Sequence, residues 1–226
     1  MVVDYKVDYI QFPKKNINIS DLKNKLINAM HLCYDNFAFS TKGYSNNGTS
    51  FDSLKYYKSG NCVALSMFIQ IFIKANFNID SHLILSSVPN KWRTEGLKPI
   101  CHCALCVPFD KDKCYIIDCA FYMDEPILMN INSSQIQSSS LTNIHTLSTL
   151  PFTYQSMISN DDDVLPDTYA CKCTFEDNGD SWCYYLNEIF NPDECLSAPY
   201  YNATYPKIIY IKTYMNNGKI QLSHTM

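Results

Sequence analysis

Several features are missing from this 226-residue sequence, and each absence narrows its chemistry. No stretch of Lys and Arg rises above background; the densest pair is Lys14-Lys15, and the formal net charge is −4. A basic face for nucleic acid therefore has no footing. The opening residues, 1–16, carry no basic segment followed by an apolar one, so no signal peptide is expected. The longest apolar run, residues 63–72, contains Gln70 and is too short to cross a bilayer. Internal repeats are absent, and glycine is scarce at six residues. The expectation is a soluble, cytoplasmic protein that partners neither nucleic acid nor membrane.

What is present is a composition able to bury a core, 46% hydrophobic and 18% charged. The length suits one large domain, or one domain with an appendage. Eleven cysteines is a high and odd number. In a secreted chain it would suggest a disulfide framework with one thiol left over; without a signal peptide, reduced thiols are expected. Residues 100–106, "ICHCALC", and 171–173, "CKC", raise the question of zinc. Cys103 and Cys106 have the spacing of a zinc knuckle, but no second pair matches it. The expectation is no metal, with these cysteines serving as small strand residues.

Apolar residues at Leu22, Leu26, Met30, Cys33 and Phe37 predict a helix over 19–37, with Ser20 or Asp21 to cap it. Residues 40–50 read as a polar loop. A second helix is predicted from 62 to about 75, a strand over 82–88 and a loop over 88–99. Residues 101–109 and 114–122 read as the strands of a hairpin around the charged quartet 110–113. The Ser/Thr/Asn-rich stretch 130–151 is either a long connection or weakly structured strands. Strand-like runs follow at 168–175, 181–190 and 207–215, with "EDNGD" and "NNGK" as hairpin turns. Helices first and mostly antiparallel strands afterwards argue an α+β fold. The expected division is a helical region 1–80, a β-rich region 81–190 and a closing segment 191–226, forming one compact unit.

Residues 59–62, "SGNC", place Cys62 on the first turn of the second helix. A helix N-terminus offers the positive end of the dipole and unpaired N–H groups, which favour a thiolate and could bind an oxyanion. A small buried residue at a tight helix entry would explain a lone cysteine equally well. Two further residues favour the chemical reading. His102 is expected on the first strand of the hairpin and Asp118 on the second, and strand alternation allows both to emerge on one face. Asp118 sits in "YIIDCAF", an apolar setting in which a carboxylate needs a reason to be. Cys, His and Asp together make a relay in which His accepts the thiol proton and the carboxylate fixes the imidazole. The plainer alternative is a polar hairpin face on which His and Asp merely pair.

The segments "SGNCVALSMFIQIFIKANFNIDSHLILSS" and "HCALCVPFDKDKCYIIDCAFYMDEPI" resemble the arylamine N-acetyltransferase family. That fold belongs with the transglutaminase-like and papain-like group. Residues 197–223 are similar to the family's third-domain segment. The resemblance implies a Cys62–His102–Asp118 triad in a transglutaminase-like core. It implies acetyl-CoA as acyl donor, a small-molecule amine as acceptor, and Phe121 and Tyr122 at the cofactor. The chain departs from the family pattern in "KSGN" before the cysteine, in Tyr122 where the family has glycine, and in "LCYDNFAFS" near the start. A transglutaminase-like cysteine hydrolase or peptidase would use the same triad, and a fold repurposed for binding is a third reading.

Overall fold

A computed structural model of the chain describes residues 19–41, 49–90, 100–130, 144–152, 168–175, 181–189, 210–216 and 219–224. Helix α1, Ile19–Asn36, buries Leu22, Leu26, Ala29, Met30 and Cys33, the stripe that its sequence period predicts. A short strand β1, Ala38–Ser40, follows it. Between 49 and 60 the chain makes three small elements that the sequence pattern did not reveal. One helical turn, α2 (Ser50–Asp52), starts at a capping box in which Thr49 and Asp52 bond each other's backbone N–H. It widens into a π-helical turn, Ser53–Tyr57, which ends at Lys58 in left-handed conformation (φ 50°). Strand β2 is the dipeptide Ser59–Gly60.

Helix α3, Cys62–Phe77, comes next and buries six consecutive residues from Cys62 to Met67. This first half is enclosed on every side, whereas Lys74, Ala75 and Asn76 in the second half face solvent. It packs against α1 on one side and strand β4 on the other. It stops at Asn78, whose left-handed backbone (φ 52°) lets its N–H bond the last carbonyls.

Two sheets complete the architecture. Strands β3 (His82–Ser87), β4 (Ile100–Asp110), β5 (Lys113–Ile117), β6 (Ile127–Asn130), β7 (Ile144–Phe152), β8 (Thr168–Phe175) and β9 (Ser181–Ile189) form a seven-stranded antiparallel sheet in the order β6-β5-β4-β3-β9-β8-β7. Strands β10 (Tyr210–Asn216) and β11 (Lys219–His224) form a hairpin that joins β1 and β2 in the order β11-β10-β1-β2, with β1 and β2 parallel. The C-terminal hairpin thus pairs with β1, which in turn pairs with β2, the segment leading into Cys62. The α+β expectation holds. Part of 130–151 is strand β7. The expected strand 114–122 is shorter than predicted: β5 stops at Ile117 and a 3₁₀ turn, Cys119–Phe121, replaces its second half. Among the described residues no helix is long and apolar enough to cross a membrane.

Candidate active site

The approach to Cys62 is fixed by backbone. A Cβ on Gly60 would lie 2.3 Å from the Cβ of Ala64, so only glycine lets β2 run this close to the first turn of α3. Asn61 then caps the helix: its Oδ1 accepts from the N–H of Val63 at 3.1 Å and of Ala64 at 3.2 Å. This corrects the expectation that several first-turn N–H groups are open to an oxyanion. The cap takes two of them and leaves the N–H of Cys62 itself.

His102 lies on β4, directly opposite Ser86 of β3. Strand β5 ends at Ile117, opposite Leu105, while β4 runs on to His102. The chain beyond Ile117 therefore turns across the unpaired part of β4. Asp118 starts that turn rather than continuing a strand, which corrects its predicted place. Its Oδ1 accepts from the N–H groups of Ala120 at 3.1 Å and Phe121 at 3.2 Å. Its Oδ2 lies 2.6 Å from Nε2 of His102 and accepts from the Tyr184 hydroxyl at 3.0 Å. Asp118 is wholly buried, so these four donors stand in for water.

With Nε2 engaged by the carboxylate, Nδ1 is the ring nitrogen left for the thiol, and the Cys62 sulfur is near enough to act on the imidazole's charge. Burial alone would push the imidazole's pKa down. The Asp118 carboxylate, the charge of the Cys62 sulfur and the hydrogen bonds to both override it and raise it to about 10. His102 and Asp118 are thus bonded to each other with Cys62 acting on the imidazole, and all three side chains are buried.

Aromatic rings hold this group from behind. The Phe121 ring stacks on the imidazole, and Trp182 meets Phe121 edge-on at 5.6 Å. Phe121 is 5% exposed, so its ring serves the histidine before anything in the cleft. Tyr122 is half-buried and sits in left-handed conformation (φ 58°), where glycine would be unstrained. Burial, then the nearby Asp118 charge, push its phenol pKa well up, so it stays neutral. On the far side, the Tyr34 hydroxyl donates to the Met123 carbonyl at 2.7 Å and ties α1 to the segment after the turn.

Trp182, Tyr184, Ser86 and Ser87 were not singled out from sequence, and no local motif marks them. Cys33, Cys62, Cys103, Cys106, Cys114, Cys119 and Cys183 are free, buried thiols. No group of three or more His, Cys, Asp or Glu is placed to hold a metal ion among the described residues.

No protein-family model matches the sequence, and no curated protein matches it. Solved structures do match in shape. The arylamine N-acetyltransferase of M. tuberculosis superposes with a TM-score of 0.55 at 11% identity, over 98% of this chain and 84% of that one. The NAT3 arylamine N-acetyltransferase of Bacillus cereus, described as having a Cys-His-Glu catalytic triad, gives 0.58 at 14% identity, over 94% and 87%. The Mycobacterium marinum enzyme in complex with CoA gives 0.55 at 10% identity, over 95% and 83%. The chain has the arylamine N-acetyltransferase fold.

Proposed function

We propose that this protein is an acyltransferase that carries an acyl group on Cys62, with acetyl-CoA as donor and a small amine as acceptor. The observation that carries the reading is the 2.6 Å contact between His102 Nε2 and Asp118 Oδ2, made beside a cysteine on the first turn of α3. In the first half-reaction the proton of the Cys62–His102 pair rests on the imidazole, and the Cys62 sulfur attacks the acyl carbonyl. The N–H of Cys62 donates to the oxygen as it becomes negative. The C–S bond to the donor breaks, and His102 returns the proton to the departing thiol. In the second half an amine attacks the Cys62 thioester, gives its proton to His102 and leaves as the amide, and the Cys62 thiol is restored. Asp118 holds the imidazole in one orientation and balances its charge throughout.

Phe121 and Tyr122 border the donor in this reading. Tyr122 stands in left-handed conformation where the resembling family has glycine, and adds a phenol there. That phenol is also the observation favouring the alternative, a cysteine hydrolase with the same triad, because it adds bulk where a phosphate-bearing donor would approach. Intact mass spectrometry after incubation with acetyl-CoA separates the two. The acyltransferase gains one acetyl group, lost in Cys62→Ala and discharged by an added arylamine. No adduct, together with cleavage of an ester or peptide substrate, leaves the hydrolase.

A further inference from the structure

We propose that Ser86 and Ser87 are positioning residues for the triad, acting through β9; the proposal rests on the acyltransferase reading of Cys62, His102 and Asp118. The two serines end β3, where its pairing with β9 is irregular. Ile84 stands opposite Ile189 and Ser86 opposite Tyr184, so a step of two residues on β3 matches a step of five on β9. Cys183 lies just past Tyr184, where the β3–β9 register ends, so its backbone groups toward β3 need other partners. The serines supply both. Ser86 Oγ donates to the Cys183 carbonyl at 2.9 Å, sharing its proton with the Ser87 carbonyl at 3.0 Å. The Cys183 N–H donates to Ser87 Oγ at 2.8 Å. All three residues are buried, so water does not compete for these bonds.

Cys183 lies between the two residues of β9 that brace the triad. Tyr184 donates to Asp118, and Trp182 packs edge-on against Phe121, which covers His102. Alternation along a strand sends both side chains to the face opposite Cys183. A residue gripped at its N–H and its C=O cannot twist, and its neighbours' directions are then fixed as well. A small rotation there would swing the Tyr184 hydroxyl, at the end of a long rigid side chain, beyond hydrogen-bond tolerance. Ser86 is also the residue opposite His102 on β4. One serine pair thus sets β9, bearing Tyr184, against β4, bearing the histidine.

The test reads Cys62 directly. The rate of Cys62 alkylation by iodoacetamide is followed from pH 5 to 10 in the wild type, Ser86→Ala, Ser87→Ala, Tyr184→Phe and each serine change combined with Tyr184→Phe. Each serine variant, with wild-type near-ultraviolet dichroism, should slow alkylation at pH 7 by about three- to tenfold, the equilibrium equivalent of one hydrogen bond. Each should shift the profile in the same sense as Tyr184→Phe, and the combinations should add little to Tyr184→Phe alone. Folded serine variants with the wild-type profile, or fully additive combinations, overturn the proposal. Amide exchange in the wild type needs no variant: the Cys183 N–H should exchange as slowly as the β4 ladder, and rapid exchange also overturns it. Alkylation requires no acyl donor, so a failed acetyl-CoA adduct would sink the acyltransferase reading and leave this result standing.

Discussion

The imidazole of His102 and the phenyl ring of Phe121 lie face to face, with centroids 4.2 Å apart and planes inclined by 2°. A stacked ring favours the charged imidazolium through its negative face, an effect worth about 0.5–2 kcal/mol. Phe121→Leu should lower the His102 pKa by about one unit, within the range that this energy allows. The measurement is an NMR titration of His102. An unchanged midpoint would mean that the ring contributes packing alone.

The same histidine makes stability depend on pH, with a definite sign. Its pKa is about 10 in the folded protein against an ordinary 6.5. Between these values the folded state holds a proton that the unfolded state has lost. The His102 contribution is complete below pH 6.5, falls as pH rises, and is gone above pH 10, at a slope on the order of 1 kcal/mol per unit. Urea midpoints across pH 6 to 10 should fall in the wild type and flatten in His102→Gln. Cys62→Ala should flatten them in part, because the Cys62 charge is among the causes of the rise.

The triad should behave as a unit. Cys62→Ala and His102→Ala should each abolish acyl transfer, and the double variant should lose little more. Asp118→Asn is harsher here than a change of charge. The carboxylate accepts from Ala120, Phe121, Tyr184 and His102, and an amide must turn its NH₂ toward two of those donors. The variant should lose about 1–3 kcal/mol of stability. It should also slow transfer on the order of 10⁴-fold. Steady-state kinetics and a urea curve on one preparation check both. Near-wild-type transfer from a folded variant would remove Asp118 from the mechanism.

How much of this was legible in the sequence follows from where each signal resides. α1 buries a stripe of period near 3.6, α3 opens on a continuous buried run, and β4 and β5 flank a short charged turn, so all four could be read locally. Cys62, His102 and Asp118 stood out because each residue type is unusual in its setting. The turn at Asp118 was missed because "YIIDCAFY" reads as one continuous strand; an aspartate able to accept N–H bonds two and three residues on was the available signal. Strands β1 and β2 are too short for any periodicity and exist through pairing with each other and, for β1, with β10. The roles of Tyr184 and the serine pair depend on β3 meeting β9, nearly 100 residues apart in sequence. No window of sequence contains both halves of that contact.

Gly60 is a point at which the fold should be brittle. An added methyl would sit 2.3 Å from the Ala64 Cβ, on the turn that carries Cys62. Gly60→Ala must push β2 and α3 apart, which for a packed core costs about 1–3 kcal/mol. The reactive sulfur should move with the helix, so Cys62 alkylation at pH 7 should slow along with the loss of stability. A stable Gly60→Ala variant with unchanged alkylation would show that β2 yields without disturbing the site.

Tyr122 is the position at which donor choice can be tested. Its backbone is left-handed, which costs a non-glycine residue roughly 1–2 kcal/mol, and its phenol stays neutral beside the Asp118 charge. A neutral phenol offers no countercharge to a phosphate, while its bulk follows directly on the triad turn. Tyr122→Gly relieves the backbone and removes the bulk, so acetyl-CoA should bind more tightly, with no loss of Cys62 alkylation. Isothermal titration of both proteins at fixed salt reads the change. The opposite outcome, binding in the wild type that disappears in Tyr122→Gly, would make the phenol a contact for the donor and overturn the steric argument. Tyr122→Asn then separates backbone from side chain: asparagine tolerates the left-handed turn, so a gain shared by Gly and Asn comes from removing the phenol.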